Sequence, residues 1–200
     1  MGARDQGSRP TCLAFAISDG HAASRGIQQP LSTDYLHYYA AKRQGIGVNG
    51  AVNTPRVQEA LEHDGQPSEA MCSYADPRHD SWTPPTGLTP VWTRPSKICT
   101  GIPSVVLREA LLSSRANVLT LRISNSFYTP DPTSHTVVED GSTDVVRHAV
   151  LVVGLRSTKS GDQYFLARNS WGADWGTDGH AWLPSTYVDA RAIGVIEFVV

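Results

Sequence analysis

The run HAVLVVGL, His148 to Leu155, is apolar at almost every position after its first residue. A near-continuous apolar stretch of this length reads as a buried strand. The second half of the chain offers partners for it. NVLTLRI from Asn117, QYFLAR from Gln163, HAWL from His180 and IGVIEFVV from Ile193 all read as strands. Short connections make antiparallel pairing the natural choice. The first half carries helix signals instead. CLAFAISDGHAA follows a capping Thr11, and its apolar residues on more than one side suit a helix buried between layers. A second helix starts at Ser32 as N-cap, with Leu31 and Leu36 at hydrophobic-staple spacing. A third takes Thr54 as cap, Pro55 at its first position and Gly65 past its end. SVVLREALLSS, from Ser104, reads as an amphipathic helix. The stretch 66–103, rich in Pro, Ser, Thr and Trp, reads as loops joining two lobes. The expected fold is α+β, one domain over residues 1–200, helical to about residue 100 and β-rich beyond it.

Chemistry enters at RDQGSRPTCLAFA, Arg4 to Ala16. Gly7 permits a tight turn and Pro10 removes a donor just before the helix. Cys12 then falls in the first helical turn, where unpaired N–H groups and the positive end of the dipole favour a thiolate. A cysteine there is a candidate nucleophile, and it needs a base and an oxyanion site. Seven histidines compete for the role of base. His21, His37, His63 and His79 read as surface or packing residues, and His135 lies in a polar loop. His180 fits on local pattern alone. His148 stands at the mouth of a buried strand, where a polar side chain is poorly placed for packing and well placed to project into a cleft. Asn169 follows a strand and precedes Ser170 and Trp171. An asparagine amide can fix an imidazole tautomer, and a tryptophan beside it can shield that hydrogen bond from water.

Together these pieces resemble the papain-like cysteine peptidases. The resemblance rests on DQGSRPTCLAFA (Asp5 to Ala16), HAVLVVG (His148 to Gly154), RNSWGADWGTDG (Arg168 to Gly179) and, more weakly, GVNGA (Gly47 to Ala51). It implies a helical N-terminal lobe and an antiparallel, barrel-like C-terminal lobe with the active site in a cleft. It implies catalytic roles for Gln6, Cys12, His148 and Asn169: Gln6 and the Cys12 N–H as the oxyanion hole, His148 as base and acid, Asn169 as its orienting partner. Gly50, Ala51, Arg147 and Trp171 are the expected substrate-binding residues. No cofactor and no metal are implied. The expected function is peptide-bond hydrolysis. A Cys-His-Asn transferase or amidase, and a peptide-binding pseudo-enzyme, are the alternatives.

Several positions depart from the family pattern. Arg9 and Val48 stand where many members carry a pair of bridged cysteines, so that disulfide is absent rather than broken. Cys72 and Cys99 are left to pair with each other or to remain thiols. Leu13 replaces a tryptophan. Ala51 replaces a glycine and is expected to crowd a substrate backbone. Arg147 precedes the histidine where plant members carry aspartate, and its charge is expected to oppose imidazolium formation. The expected partners are a peptide or protein substrate and a separate inhibitory or activating segment. A net charge of -2 and the lack of a long apolar run point to neither nucleic acid nor membrane. MGARDQG lacks the apolar core of a signal peptide. A soluble protein, cytoplasmic or exported, is expected. The start five residues before Gln6 fits either an upstream segment removed or a compact bacterial-type member controlled in another way.

Overall fold

A computed structural model describes residues 2–143 and 146–199. The chain divides into two compact units. One comprises Gln6–Lys97 with the C-terminal residues from Phe198; the other comprises Gly2–Asp5 and Ile98–Glu197.

The first unit is built on three helices, α1 (Cys12–Ser24), α2 (Thr33–Gln44) and α3 (Thr54–His63), each packed on the other two. Helix α1 is buried along Leu13 to Ala22, in keeping with its apolar residues on all sides. The cap of α2 is as the sequence suggests: the Ser32 hydroxyl accepts from the Tyr35 N–H, and Leu31 and Leu36 are both fully buried. Gly45, at φ +75, ends that helix in the left-handed region. The cap of α3 lies one residue earlier than expected. Asn53 Oδ1 accepts from the Arg56 N–H, which makes Thr54 the first helical residue. Asparagine is the stronger cap of the two, so it takes the position. Thr11 precedes α1 but does not cap it through its side chain. Its hydroxyl meets the Tyr74 hydroxyl at 2.9 Å instead. Between α3 and residue 98 the chain is mostly irregular, apart from a short 3-10 turn at Glu69–Met71 and the start of strand β1 (Ser96–Ile98).

The second unit holds helix α4 (Pro103–Leu112), strand β2 (Asn117–Ile123), the short helix α5 (Asn125–Tyr128), β3 (Val146–Ser157), β4 (Gln163–Arg168), β5 (His180–Pro184), helix α6 (Ser185–Arg191) and β6 (Ala192–Phe198). The sheet runs in the order β1-β6-β2-β3-β4-β5. Its β6–β2, β2–β3, β3–β4 and β4–β5 pairs are antiparallel. The apolar run after His148 is the central strand β3, paired on both sides. Leu119, Leu121, Val150, Val152, Phe165 and Leu183 form the core with Leu107 of α4 and Tyr187 of α6. Each such buried side chain contributes about 1.5–3 kcal/mol through removal from water. The polar loop that holds His135 lies between α5 and β3, and its residues 144 and 145 lie outside the described residues.

Candidate active site

Antiparallel register puts the start of β3 beside the chain leaving β4. Leu151 pairs with Arg168, so the residues after Arg168 pass His148. His148 Nε2 lies 2.7 Å from Asn169 Oδ1. The amide oxygen can only accept, so Nε2 carries the proton and Nδ1 keeps its lone pair. The same oxygen accepts the Ser170 N–H at 2.8 Å, which fixes the amide's orientation. Both side chains are buried, at 5% and 3% exposure. Trp171 lies 4.6 Å from the imidazole, ring centre to ring centre, and Phe127 meets it edge-on at 5.5 Å. These rings remove water from the His148–Asn169 bond and so strengthen it. Burial lowers the His148 pKa from 6.5 to about 4, and the Asn169 bond opposes that shift. Arg147 is exposed and is not among the causes, so the depression expected from its charge comes from desolvation instead. Tyr128 stacks on Trp171 with ring centres 5.4 Å apart.

In the first unit, Cys12 is the first residue of α1 and is partly exposed. No acidic residue occupies the first turn. The loop before it is tied at each step. The Gln6 amide Nε2 donates to the Arg9 carbonyl at 2.8 Å, and the Tyr74 hydroxyl donates to the Gln6 carbonyl at 2.7 Å. Gly7 sits at φ +58, where a Cβ would lie 2.0 Å from an Asp76 carboxylate oxygen, so only glycine fits. Ser8 donates to that carboxylate through its N–H and its hydroxyl, at 2.6 and 2.9 Å. All three cysteines are thiols, which settles the open pairing of Cys72 and Cys99. At the two positions where the family bridge is missing, Arg9 Nη2 donates to the Val48 carbonyl at 2.8 Å.

The expected substrate residues are spread over both units. Gly50 closes a turn by donating to the Gly47 carbonyl at 2.9 Å, and Ala51 is exposed after it. An open groove of about 290 Å³ beside this turn is lined by Gly47, Val48, Tyr38 and Trp82. Arg147 and Trp171 belong to the second unit. Among the described residues, no group of three His, Cys, Asp or Glu side chains is arranged to hold a metal ion. No helix there is long and apolar enough to cross a membrane.

Reading the sequence alone misses Tyr74, Asp34, Asp76 and Phe127. None stands in a motif, and each reaches its partner across a long stretch of chain.

The chain belongs to the papain family of cysteine proteases: the profile described as papain family cysteine protease matches residues 3–192. Among its relatives is a cathepsin B-like protein of Giardia intestinalis, 23% identical over 190 residues. That match covers 89% of this chain and 61% of the relative. Cysteine proteinase 3 of Dictyostelium discoideum is 25% identical over 182 residues, covering 88% of this chain and 53% of its own. The chain therefore spans between half and three-fifths of these curated relatives. Among solved structures, the cysteine protease xylellain of Xylella fastidiosa superposes with a TM-score of 0.78. Its identity is 20%, covering 99% of this chain and 82% of that one. The bromelain protease of Ananas comosus gives 0.76 at 21% identity, covering 100% and 94%. The α+β, papain-like fold is thus shared with both.

Proposed function

We propose that this protein is a cysteine peptidase that hydrolyses peptide bonds through a Cys12 thiolate and a His148 imidazolium. The observation that carries this reading is the buried Nε2–H···Oδ1 bond from His148 to Asn169, which leaves Nδ1 as the imidazole's one basic nitrogen. Membership of the papain family supports it. Nδ1 takes the Cys12 proton, and the helix start favours the thiolate that remains. The thiolate attacks the scissile carbonyl carbon. The Gln6 amide and the Cys12 N–H stabilise the oxygen as it becomes an anion. His148 returns the proton to the leaving amine as the C–N bond breaks. A water, deprotonated by His148, then attacks the thioester, and the acid product leaves as the thiol reforms. Gly50, Ala51, Arg147 and Trp171 are proposed to contact the peptide.

A separate inhibitory segment is a proposed partner, since solved relatives include a procathepsin L 3 of Tenebrio molitor and a ragweed allergen protease in its proform.

The test is turnover of a peptide library with mass analysis of products. Cys12→Ala and His148→Ala are expected to abolish turnover, and Gln6→Ala to lower kcat by about 10²–10³. Hydrolysed peptide is the expected product. An amine adduct would assign a transferase instead, and undiminished effect of Cys12→Ala would end the enzymatic reading.

A further inference from the structure

Arg9 presents an unusual case, a charge buried in the middle of an active-site loop. Its side chain is 3% exposed, and that of its partner Asp34 is fully buried. Asp34 Oδ1 accepts from Arg9 Nη1 at 2.5 Å. Asp34 Oδ2 accepts from Arg78 Nε at 2.6 Å and from the Ala75 N–H at 3.0 Å. The two guanidinium groups thus share one carboxylate in the first turn of α2, where the helix end also favours negative charge. Arg9 Nη1 donates further to the Ala75 carbonyl, and Nη2 to the Val48 carbonyl, both at 2.8 Å. Its guanidinium lies 5.0 Å above the Tyr74 ring.

Burying an ion pair costs several kcal/mol of desolvation per ion, so such a cluster is a poor device for stability alone. It is an effective device for fixing one geometry, because a planar guanidinium with several bonds has few alternatives. The fixed object here is the Arg9 backbone. Its carbonyl accepts the Gln6 Nε2–H and the Thr11 N–H, each at 2.8 Å. Tyr74, beneath the guanidinium, donates to the Gln6 carbonyl. Both the backbone and the side chain of Gln6 are therefore held by groups that Arg9 positions.

We propose that Arg9, anchored by Asp34 and Arg78, is the positioning residue for the Gln6 amide. This rests on the reading of Gln6 as an oxyanion donor. In this chain the ion-pair cluster ties loop 6–11 to the turn at Val48 without a disulfide.

The experiment is a double-variant cycle on Arg9→Met and Gln6→Ala, with Arg9→Lys as the conservative variant. Arg9→Met is expected to lower kcat about 10- to 100-fold with KM within about twofold, as loss of an aligned oxyanion donor would. Arg9→Lys, which keeps the charge, recovers part of the loss. The double variant turns over no more slowly than Gln6→Ala alone, because both act through one amide. A second readout needs no turnover: the Gln6 side-chain amide signals in a ¹H–¹⁵N spectrum, assigned by their loss in Gln6→Ala. They are expected to move toward unstructured values in Arg9→Met and to change less in Arg9→Lys. Asp34→Asn serves the same purpose should Arg9→Met fail to fold. Losses that multiply in the double variant, or Gln6 signals unchanged in Arg9→Met, overturn the proposal. A wild type that turns over no peptide while its Gln6 signals respond to Arg9 would sink the peptidase reading and leave the positioning role standing.

Discussion

His148 is pulled in two directions. Burial disfavours its charged form and lowers its pKa to about 4, while the Asn169 amide oxygen, which can hold the imidazolium's N–H, pulls it back up. A thiolate partner would add a second upward pull, so the titration belongs to the pair when both are present. Removing the thiolate isolates the histidine. In Cys12→Ala the imidazole is expected to titrate near pH 4, followed by NMR, and adding Asn169→Ala is expected to lower it further. A midpoint near 6.5 would mean that His148 is not buried as described. The proposed site residues Gln6, Cys12, His148 and Asn169 each sit in a local pattern of the sequence: a loop before a helix, a helix start, a strand mouth, a strand end before tryptophan. What holds them is not legible. Tyr74 lies 68 residues from Gln6, and Asp34 lies 25 from Arg9. No local spacing signals such pairs.

At the scale of the element, caps carry the testable energy. Asn53→Ala is expected to cost about 1 kcal/mol of stability, since it removes the acceptor for the Arg56 N–H. Thr54→Ala is expected to change stability by less than about 0.5 kcal/mol, because Thr54 is helical rather than capping. Equilibrium denaturation of the two variants separates them; the reverse order would restore Thr54 as the cap. The longer strands are legible because their apolar runs exceed what a turn can hold. Strand β2 spans Asn117–Ile123, and β4 spans Gln163–Arg168, both as their patterns suggest. Helix α6 is not legible. Its seven residues, Ser185–Arg191, show too little periodicity, and it follows directly on a proline that ends β5. Strand β1, three residues long, is hidden in a Pro-rich stretch for the same reason.

At the scale of the whole molecule, two histidines outside the proposed site make stability depend on pH. His21 and His37 are both fully buried, and desolvation lowers each pKa from 6.5 to about 4. In His21 the neutral form is fixed by its surroundings: Arg25 Nε donates to Nε2, so Nδ1 carries the proton toward Gln66. The unfolded chain binds these protons more readily than the native state. Stability is therefore fully present above pH 6.5 and falls as pH drops toward 4, by on the order of 3 kcal/mol for each histidine. Thermal unfolding across this window is expected to show a steep loss, softened in His21→Gln. A reductant, by contrast, should leave Tm unchanged, since all three cysteines are thiols. A drop in Tm on reduction would reveal a disulfide.

An activated Cys12 is tested most simply by alkylation with iodoacetamide as a function of pH, read by peptide mass spectrometry at each cysteine. An ordinary thiol, with a pKa of ~8.5, reacts slowly at pH 5. Cys72, whose thiol burial pushes up, should stay slow there. Cys12 alone is expected to label fast at pH 5, and more slowly in His148→Ala. Equally slow labelling of all three cysteines in folded protein, or fast labelling of Cys12 that survives loss of His148, would mean that His148 does not activate Cys12.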